Sequence, residues 1–503
     1  MIIDGEKEPR ALDETFDYVI VGSGAAGATA ARVLVDQGAR LAIVEEGPAV
    51  TTAEFGDQAF PAFRRLFRDM GLQLARGRAF IPVIQGSCLG GSTVINSAIV
   101  WRIPADVWDP WNTEFGLGQA LPLETLHQNW DQLERELSAR PTAPEIWGEN
   151  NRLLAVAGER SGMAANPLRR FENGCRGSAR CSTGCPFGAK QSMLVSYLPY
   201  ASERGASIFA SAHVDKVILS GDRAAGVTGS FHESQTKRRL APFTLRARQG
   251  VLIAASAIQT PGLLARSGIR SRHLGAHFQG HPGAGLVGVF TENVNLWSGA
   301  TQGFEMDQHR LDGRYKIETL SLGPETLFAR LPGVGGHWLE NISQTGHMAL
   351  WVVQLRAYAQ GSVRQGPFGT DIRFDLTRQD MINLRKGLRV TAEMLFAAGA
   401  REVICGIHGL PERLTNPDQA RLLENGPDNP ASYTFALSHL FGTARMSVQP
   451  GAGVVGTDFS VHGTRGLYVI DSSLFPTNLG VNPQHAIMGI AMHAAHKISQ
   501  LNG

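Results

Sequence analysis

Three segments of this 503-residue chain carry residue types at spacings that do chemistry. The first is Asp17-Tyr-Val-Ile-Val-Gly-Ser-Gly-Ala-Ala-Gly27, in which Gly22, Gly24 and Gly27 stand in a G-x-G-x-x-G spacing with Ser23 inside it. An apolar run, Tyr18 to Val21, leads in and Ala-rich residues 25–37 lead out, so the glycines mark a strand-to-helix turn. There the first glycine permits the tight turn, the second lets the backbone approach a pyrophosphate, and the third lets helix and strand pack closely. Phosphates would rest on the unpaired N–H groups and positive dipole end of the helix. A second apolar strand, Leu41 to Val44, ends at Glu45, where a carboxylate takes a ribose hydroxyl pair. Strand, turn, helix, strand and acid in this order predict a dinucleotide site.

The second segment is Gly86-Ser-Cys-Leu-Gly-Gly-Ser-Thr-Val-Ile-Asn96. Adjacent Gly90 and Gly91 followed by hydroxyl residues make a loop whose amides can meet a flat or anionic ligand, although an ordinary tight turn fits the same residues. The third holds Cys175, Cys181 and Cys185. Closely spaced thiols ligate zinc or iron–sulfur centres, but no fourth ligand follows, so the expectation is a Gly-rich loop with small thiols and no metal.

These segments need a scaffold. A chain of this length exceeds one compact core, so two domains are expected. Apolar strands and glycine turns concentrate at residues 16–46, 80–100, 206–290 and 436–500, with less regular stretches between. Alternation near 348–358 and around 370–376 predicts strands, and Gln379 to Ala398 reads as a helix stopped by Gly399. The expected fold is α/β: a discontinuous Rossmann-like nucleotide domain from residues 15–135, 201–290 and 431–503. A substrate or cap segment at 136–200 and a substrate-binding α+β domain at 291–430 are inserted into it.

Composition narrows the partners. A 43% hydrophobic, 18% charged chain of net charge +2 without a basic cluster excludes an electrostatic nucleic-acid binder. The first 15 residues are polar and acidic, unlike a signal peptide, and no run of 18 apolar residues occurs. A cytoplasmic protein without an integral membrane segment is expected. Five cysteines, an odd number, argue against a complete disulfide framework.

Taken together, the first two motifs resemble the glucose-methanol-choline (GMC) oxidoreductases, whose first signature is a G-x-x-x-G-G-x-S-x-x-N segment along the FAD. Thr93 stands where that pattern has serine. Ser256-Ala-Ile-Gln-Thr-Pro-Gly-Leu-Leu-Ala-Arg-Ser-Gly-Ile269 resembles the second signature, departing at Arg270, and Gly280-His281-Pro282 resembles a short motif after it. The resemblance implies FAD, with Gly86, Gly90, Gly91, Ser92 and Asn96 along it and Val214 at the adenine. Ile95 occupies the position where some relatives attach FAD covalently through histidine, so noncovalent FAD is implied.

The C-terminal segments Ser438-His-Leu-Phe-Gly-Thr-Ala-Arg-Met446, Gly466-Leu-Tyr-Val-Ile-Asp-Ser-Ser473 and Gly480-Val-Asn-Pro-Gln-His-Ala-Ile-Met-Gly489 also resemble the family's pattern. By that resemblance His439 is the general base and Asn482 its hydrogen-bonding partner, with His485 the rival because some members use two histidines. Asp471 is expected at the ribityl or phosphate region, and Pro483 and Gln484 at the pyrimidine edge. The implied reaction is oxidation of an alcohol to aldehyde or ketone, hydride going to flavin N5 and the hydroxyl proton to imidazole. A neutral amide donor stabilises developing alkoxide without changing charge. Partners are a small-molecule alcohol and an electron acceptor: dioxygen, a quinone or a redox protein. Gly-Cys-Pro-Phe-Gly-Ala-Lys-Gln-Ser resembles a loop of the long-chain alcohol oxidase branch, while oxidases of aminoglycoside biosynthesis are similar in size and C-terminal motif. Photodecarboxylation on the same fold and a non-catalytic flavin electron carrier are the alternatives.

Overall fold

The computed structural model describes residues 1–366 and 369–502, which build two large sheets. In the first, the strands lie in the spatial order Ile2–Asp4, Ser207–Ala210, Leu41–Val44, Leu12–Val21, Arg239–Ile253, Arg223–His232, Ala212–Ser220. The first five pair in parallel, and the last two fold back as an antiparallel ribbon. Arg239–Ile253 forks the sheet: residues 239–246 pair with the ribbon, whereas Val251–Ile253 pair in parallel with Leu467–Val469. Helix Ala25–Asp36 packs against Gln484–Asn502, burying the parallel strands from one side. This covering is why Tyr18 to Val21 and Leu41 to Val44 read as unbroken apolar runs rather than alternating ones.

The turn after Val21 needs its glycines. Gly22 has φ +103°, and a Cβ there would lie 2.3 Å from the Ala254 carbonyl oxygen. A Cβ on Gly27 would lie 1.9 Å from the Gly22 oxygen, so only glycine lets the helix start this close to the strand end.

The second sheet is antiparallel and centred on Gln279–Val289. One edge of that strand pairs with Met348–Leu355, followed outward by Tyr315–Thr319, Phe304–Met306 and Asn166–Pro167. Its other edge is shared by Ala436–Phe441 and Glu402–Ile404. The sequence division at residue 290 assigns residues 279–289 to the nucleotide segments, whereas this strand belongs to the second sheet. Its four glycines hide the strand pattern, and they are there for space: a Cβ on Gly280 would meet Leu437 at 2.6 Å and one on Gly288 would meet Leu395 at 2.7 Å.

Helix Arg378–Ala398, near the predicted bounds, covers one face of the second sheet with Met381, Leu384, Leu388 and Leu395. Ala349, Trp351, Val353 and Leu355 point into that core, so Leu350, Val352 and Gln354 face the opposite way, toward a cavity. The helix begins with a capping box between Thr377 and Asp380 and ends at Gly399, φ +107°. Among the described residues no helix is long and apolar enough to cross a membrane.

Asp380 does more than cap. It is fully buried and accepts from the backbone N–H of Tyr358 (2.7 Å), Ala359 (3.1 Å) and Thr377 (2.9 Å). Asp380→Ala strands three donors and is expected to lower unfolding free energy by about 3 kcal/mol. Thr377→Ala removes only the cap, at about 1 kcal/mol. Chemical denaturation of the two variants checks this; equal losses would show that the carboxylate acts only as a cap.

Candidate active site

A cavity of about 1430 Å³ runs from the end of strand Leu12–Val21 to the open face of the second sheet. That exceeds the roughly 300–1,000 Å³ of an ordinary small-molecule pocket and suits a dinucleotide together with a substrate. Its walls include Gly22, Gly24, Glu45, Gly86, Gly91, Ser92, Asn96, Val214, Asp471, His439, Asn482, Pro483 and Gln484, which the fold brings together from both ends of the chain.

At the nucleotide end nothing lies within 4 Å of the position a Gly24 Cβ would take, so the backbone faces open space there. Ser23, Gly27 and Gly90 stand behind the wall. The Ser23 hydroxyl donates to Glu45 (2.6 Å) and accepts from the Gly90 N–H (2.9 Å), joining the two glycine loops. Glu45 also accepts from the Ser23 N–H (3.1 Å) and the Gly47 N–H (2.9 Å), and burial pushes its pKa up. Asn96 donates to Gln484 (2.6 Å), tying the second loop to the start of the C-terminal helix.

Asp471 lies at the cavity wall, but its oxygens are engaged by the chain: it accepts from the Ser256 N–H (3.0 Å), Thr260 (2.7 Å) and the Ser473 N–H (2.8 Å). It anchors helix Ser256–Arg266 to the end of strand Leu467–Val469.

The cysteine loop braces the cradle. Lys190, buried, donates to the carbonyls of Val94 (2.6 Å), Asn96 (2.7 Å) and Cys181 (2.8 Å). Beside it Cys175, Cys181 and Cys185 border a small void with Arg170, whose guanidinium reaches the Cys175 sulfur at 3.4 Å.

The other end of the cavity has the second sheet as its floor. His439 lies where the pairing of Ala436–Phe441 is irregular, and its Nδ1 is 3.1 Å from both His281 Nδ1 and the Gln354 amide nitrogen. Burial draws the His439 pKa down to about 4, against a pull upward from Glu318. Burial and the neighbouring His439 hold His281 well below the usual histidine range. The Gly480 N–H donates to His281 Nε2 (2.9 Å), which puts the proton of neutral His281 on Nδ1, toward His439.

Asn482 lies two residues before the first residue of the C-terminal helix, and its Oδ1 accepts from Lys316 Nζ at 2.5 Å. Lys316 also pairs with Glu305 (2.9 Å) and Glu318 (2.6 Å). Burial alone would lower the lysine pKa, but the two carboxylates carry it above the ordinary value. His485, the sequence rival, lies elsewhere: it is buried against Trp130 and Phe171, outside the cavity lining, with its pKa drawn down to about 3 by burial.

Sequence reasoning gave no role to His281, Lys316, Glu318 or Gln354. A signal existed for the middle two: Tyr315-Lys-Ile-Glu-Thr319 alternates charged and uncharged residues, but such a strand reads as solvated on one face.

The chain matches the GMC oxidoreductase family models over residues 16–283 and 357–491. It is 34% identical over 482 residues to an uncharacterised GMC-type oxidoreductase of Mycobacterium tuberculosis, covering 95% of this chain and 75% of that protein. It is 26% identical over 517 residues to a long-chain-alcohol oxidase of Arabidopsis thaliana, covering 96% and 67%. Among solved structures it is similar to a formate oxidase of Aspergillus oryzae, with TM-score 0.74 at 17% identity, covering 97% of this chain and 99% of that one, a likeness of fold. The chain belongs to the GMC oxidoreductase family, and is an FAD-binding oxidoreductase acting on alcohol-type donors. The open backbone at Gly24, the joined glycine loops and the buried Glu45 carboxylate fit that dinucleotide.

Replacing Glu45 by Gln keeps the side chain's size and removes its charge. FAD affinity is expected to drop about 10-fold, as for loss of a charge-assisted hydrogen bond. Titration of apoprotein with FAD, followed by quenching of flavin fluorescence, measures it; unchanged affinity would free Glu45 of the ribose role.

Proposed function

We propose that this enzyme oxidises a primary alcohol with an apolar chain to the aldehyde, His439 taking the hydroxyl proton and Asn482 donating to the substrate oxygen. The observation that carries the reading is the convergence of His439 and Asn482 on one cavity that also contains the nucleotide cradle. Bound noncovalently, FAD supplies the hydride acceptor. The alcohol carbon gives up two electrons with that hydride, the hydroxyl gives up its proton, and the electrons later pass to an external acceptor.

Proton transfer requires a lone pair on His439 Nε2 and the ring proton on Nδ1. The Gly480–His281 hydrogen bond favours the opposite arrangement, since His281 then presents N–H to His439 Nδ1. Shifting both rings to the base-competent tautomers breaks that hydrogen bond and turns two buried N–H donors, of Gly480 and His281, toward each other, a cost of roughly 2–3 kcal/mol. After a half-turn of its amide, Gln354 accepts from His439 Nδ1. The 10²–10⁴-fold that a positioned base contributes, about 3–5 kcal/mol, offsets this cost.

The substrate class follows from the floor beyond His439. Gly283, Gly285 and Val287 run along the central strand, flanked by Leu350 and Val352, with Leu320, Leu327, Leu331 and Ile404 further out. Glu318, a carboxylate of the same wall, is already paired with Lys316 and accepts from Gln302 (2.6 Å). An apolar chain fits this wall better than an amino sugar, in keeping with the name of the Arabidopsis relative.

Three measurements bear on the reading. His439→Ala should keep its FAD yet lose alcohol-driven flavin bleaching by about 10²–10⁴-fold under anaerobic conditions; bleaching at the wild-type rate would remove His439 as the base. The pH profile of kcat/KM should stay flat from neutral pH down to about 5 and fall by half near 4, the depressed pKa of His439; a midpoint near 6.5, the value of an unperturbed histidine, would contradict it. The same depression acts on stability: between about 6.5 and 4 the unfolded chain binds a proton that folded His439 does not, so this contribution falls as pH drops through that window. Finally, kcat/KM should rise with chain length across straight-chain primary alcohols, and a preference for amino sugars would overturn the proposed class.

A further inference from the structure

Lys316 is a fully buried ammonium beside the reaction end of the cavity, on a strand edge that pairs with Met348–Leu355. Burying a lone charge is expensive, so each of its donors needs an acceptor. It donates to Glu305 Oε2 at 2.9 Å and to Asn482 Oδ1 at 2.5 Å, and Glu318 Oε1 forms an ion pair with it at 2.6 Å. The Trp101 ring lies 5.2 Å from the ammonium, and its indole N–H donates to Glu305 at 3.1 Å, closing the far side.

An amide can usually turn over, exchanging oxygen and nitrogen. Here it cannot without placing an NH2 against an ammonium that only donates. The atom facing Lys316 is therefore the oxygen, and the Asn482 NH2 is left to the cavity that this residue lines.

We infer that Lys316 is a positioning residue: by holding Asn482 Oδ1 it commits the Asn482 NH2 to the substrate oxygen. Glu305 and Glu318 make the buried ammonium tolerable, and they hold it in place. The inference rests on the alcohol-oxidation reading for the identity of the ligand, but its geometry concerns binding, not hydride transfer.

A tertiary aliphatic alcohol separates the two, because it offers the hydroxyl oxygen and has no α-hydrogen to lose. Its Kd is measured on the FAD-loaded protein by perturbation of the flavin absorbance, for wild type, Lys316→Met, Asn482→Ala and the double variant. The expected result is about 5-fold weaker binding in Lys316→Met, the range of one neutral hydrogen bond, and no further loss from Lys316→Met once Asn482 is alanine. A purely structural lysine would weaken binding equally in both backgrounds, and that outcome overturns the inference. So does a wild type that does not bind the tertiary alcohol, since the amide is then not offered to a hydroxyl.

Lys316→Met leaves two buried carboxylates without their cation and is the variant at risk of misfolding. If it fails to retain FAD, Lys316→Met/Glu318→Gln is read against Glu318→Gln by the same measurement, with the same two outcomes. A wild type that binds the tertiary alcohol but is bleached by no primary alcohol would sink the oxidation reading and leave the role of Lys316 standing.

Discussion

The centre of this structure is a charge that has no access to water. Lys316 hangs from the second sheet, yet one of its two hydrogen bonds goes to Asn482, near the start of the C-terminal helix that packs on helix Ala25–Asp36 of the first sheet. The hydrogen bond thus joins the two halves at the stretch of cavity wall that holds His439 and Asn482. A buried ammonium tolerates little displacement, because each acceptor it loses leaves an uncompensated charge in a low-dielectric interior. Small changes in how the sheets meet are therefore resisted where they would most disturb the site.

The nucleotide end is fixed by a different force, steric room for backbone. Gly22 and Gly27 let strand and helix approach more closely than any side chain allows, and Ser23 then reaches both Glu45 and the loop at Gly90. One hydroxyl couples two loops, so the first glycine turn and the second loop form one cradle. Lys190 performs a comparable task from outside, holding three carbonyls and tying the cysteine loop to the residues around Asn96. The thiols gather around that lysine and Arg170 rather than around the cavity.

The reaction end is built from β-sheet register. Gly283, Gln354 and Lys316 lie in one row across three strands, and Gly285, Val352 and Glu318 in the next. A slip of one residue would turn every one of these side chains into the opposite core. The same alternation that seats Trp351 and Val353 under helix Arg378–Ala398 aims Val352 and Gln354 at the cavity, so stability and function draw on the two faces of one strand.

By itself, the sequence determined the nucleotide cradle and much of the secondary structure. Those features depend on φ angles and close backbone approach among residues that are near neighbours in the chain, and glycine spacing records them directly. Resemblance added His439 and Asn482, but it said nothing of what holds them. Only the tertiary structure decided that His485 packs against Trp130 while Asn482 meets Lys316, that Asp471 spends its oxygens on the chain, and that a glycine-rich stretch is the central strand of the second sheet. The reason is that His281, Lys316, Gln354 and His439 come from four separate strands that converge by pairing, and Asn482 reaches them from a fifth stretch before the C-terminal helix. A lysine in a short strand looks the same in sequence whether water or two buried carboxylates await it, and only the fold settles which.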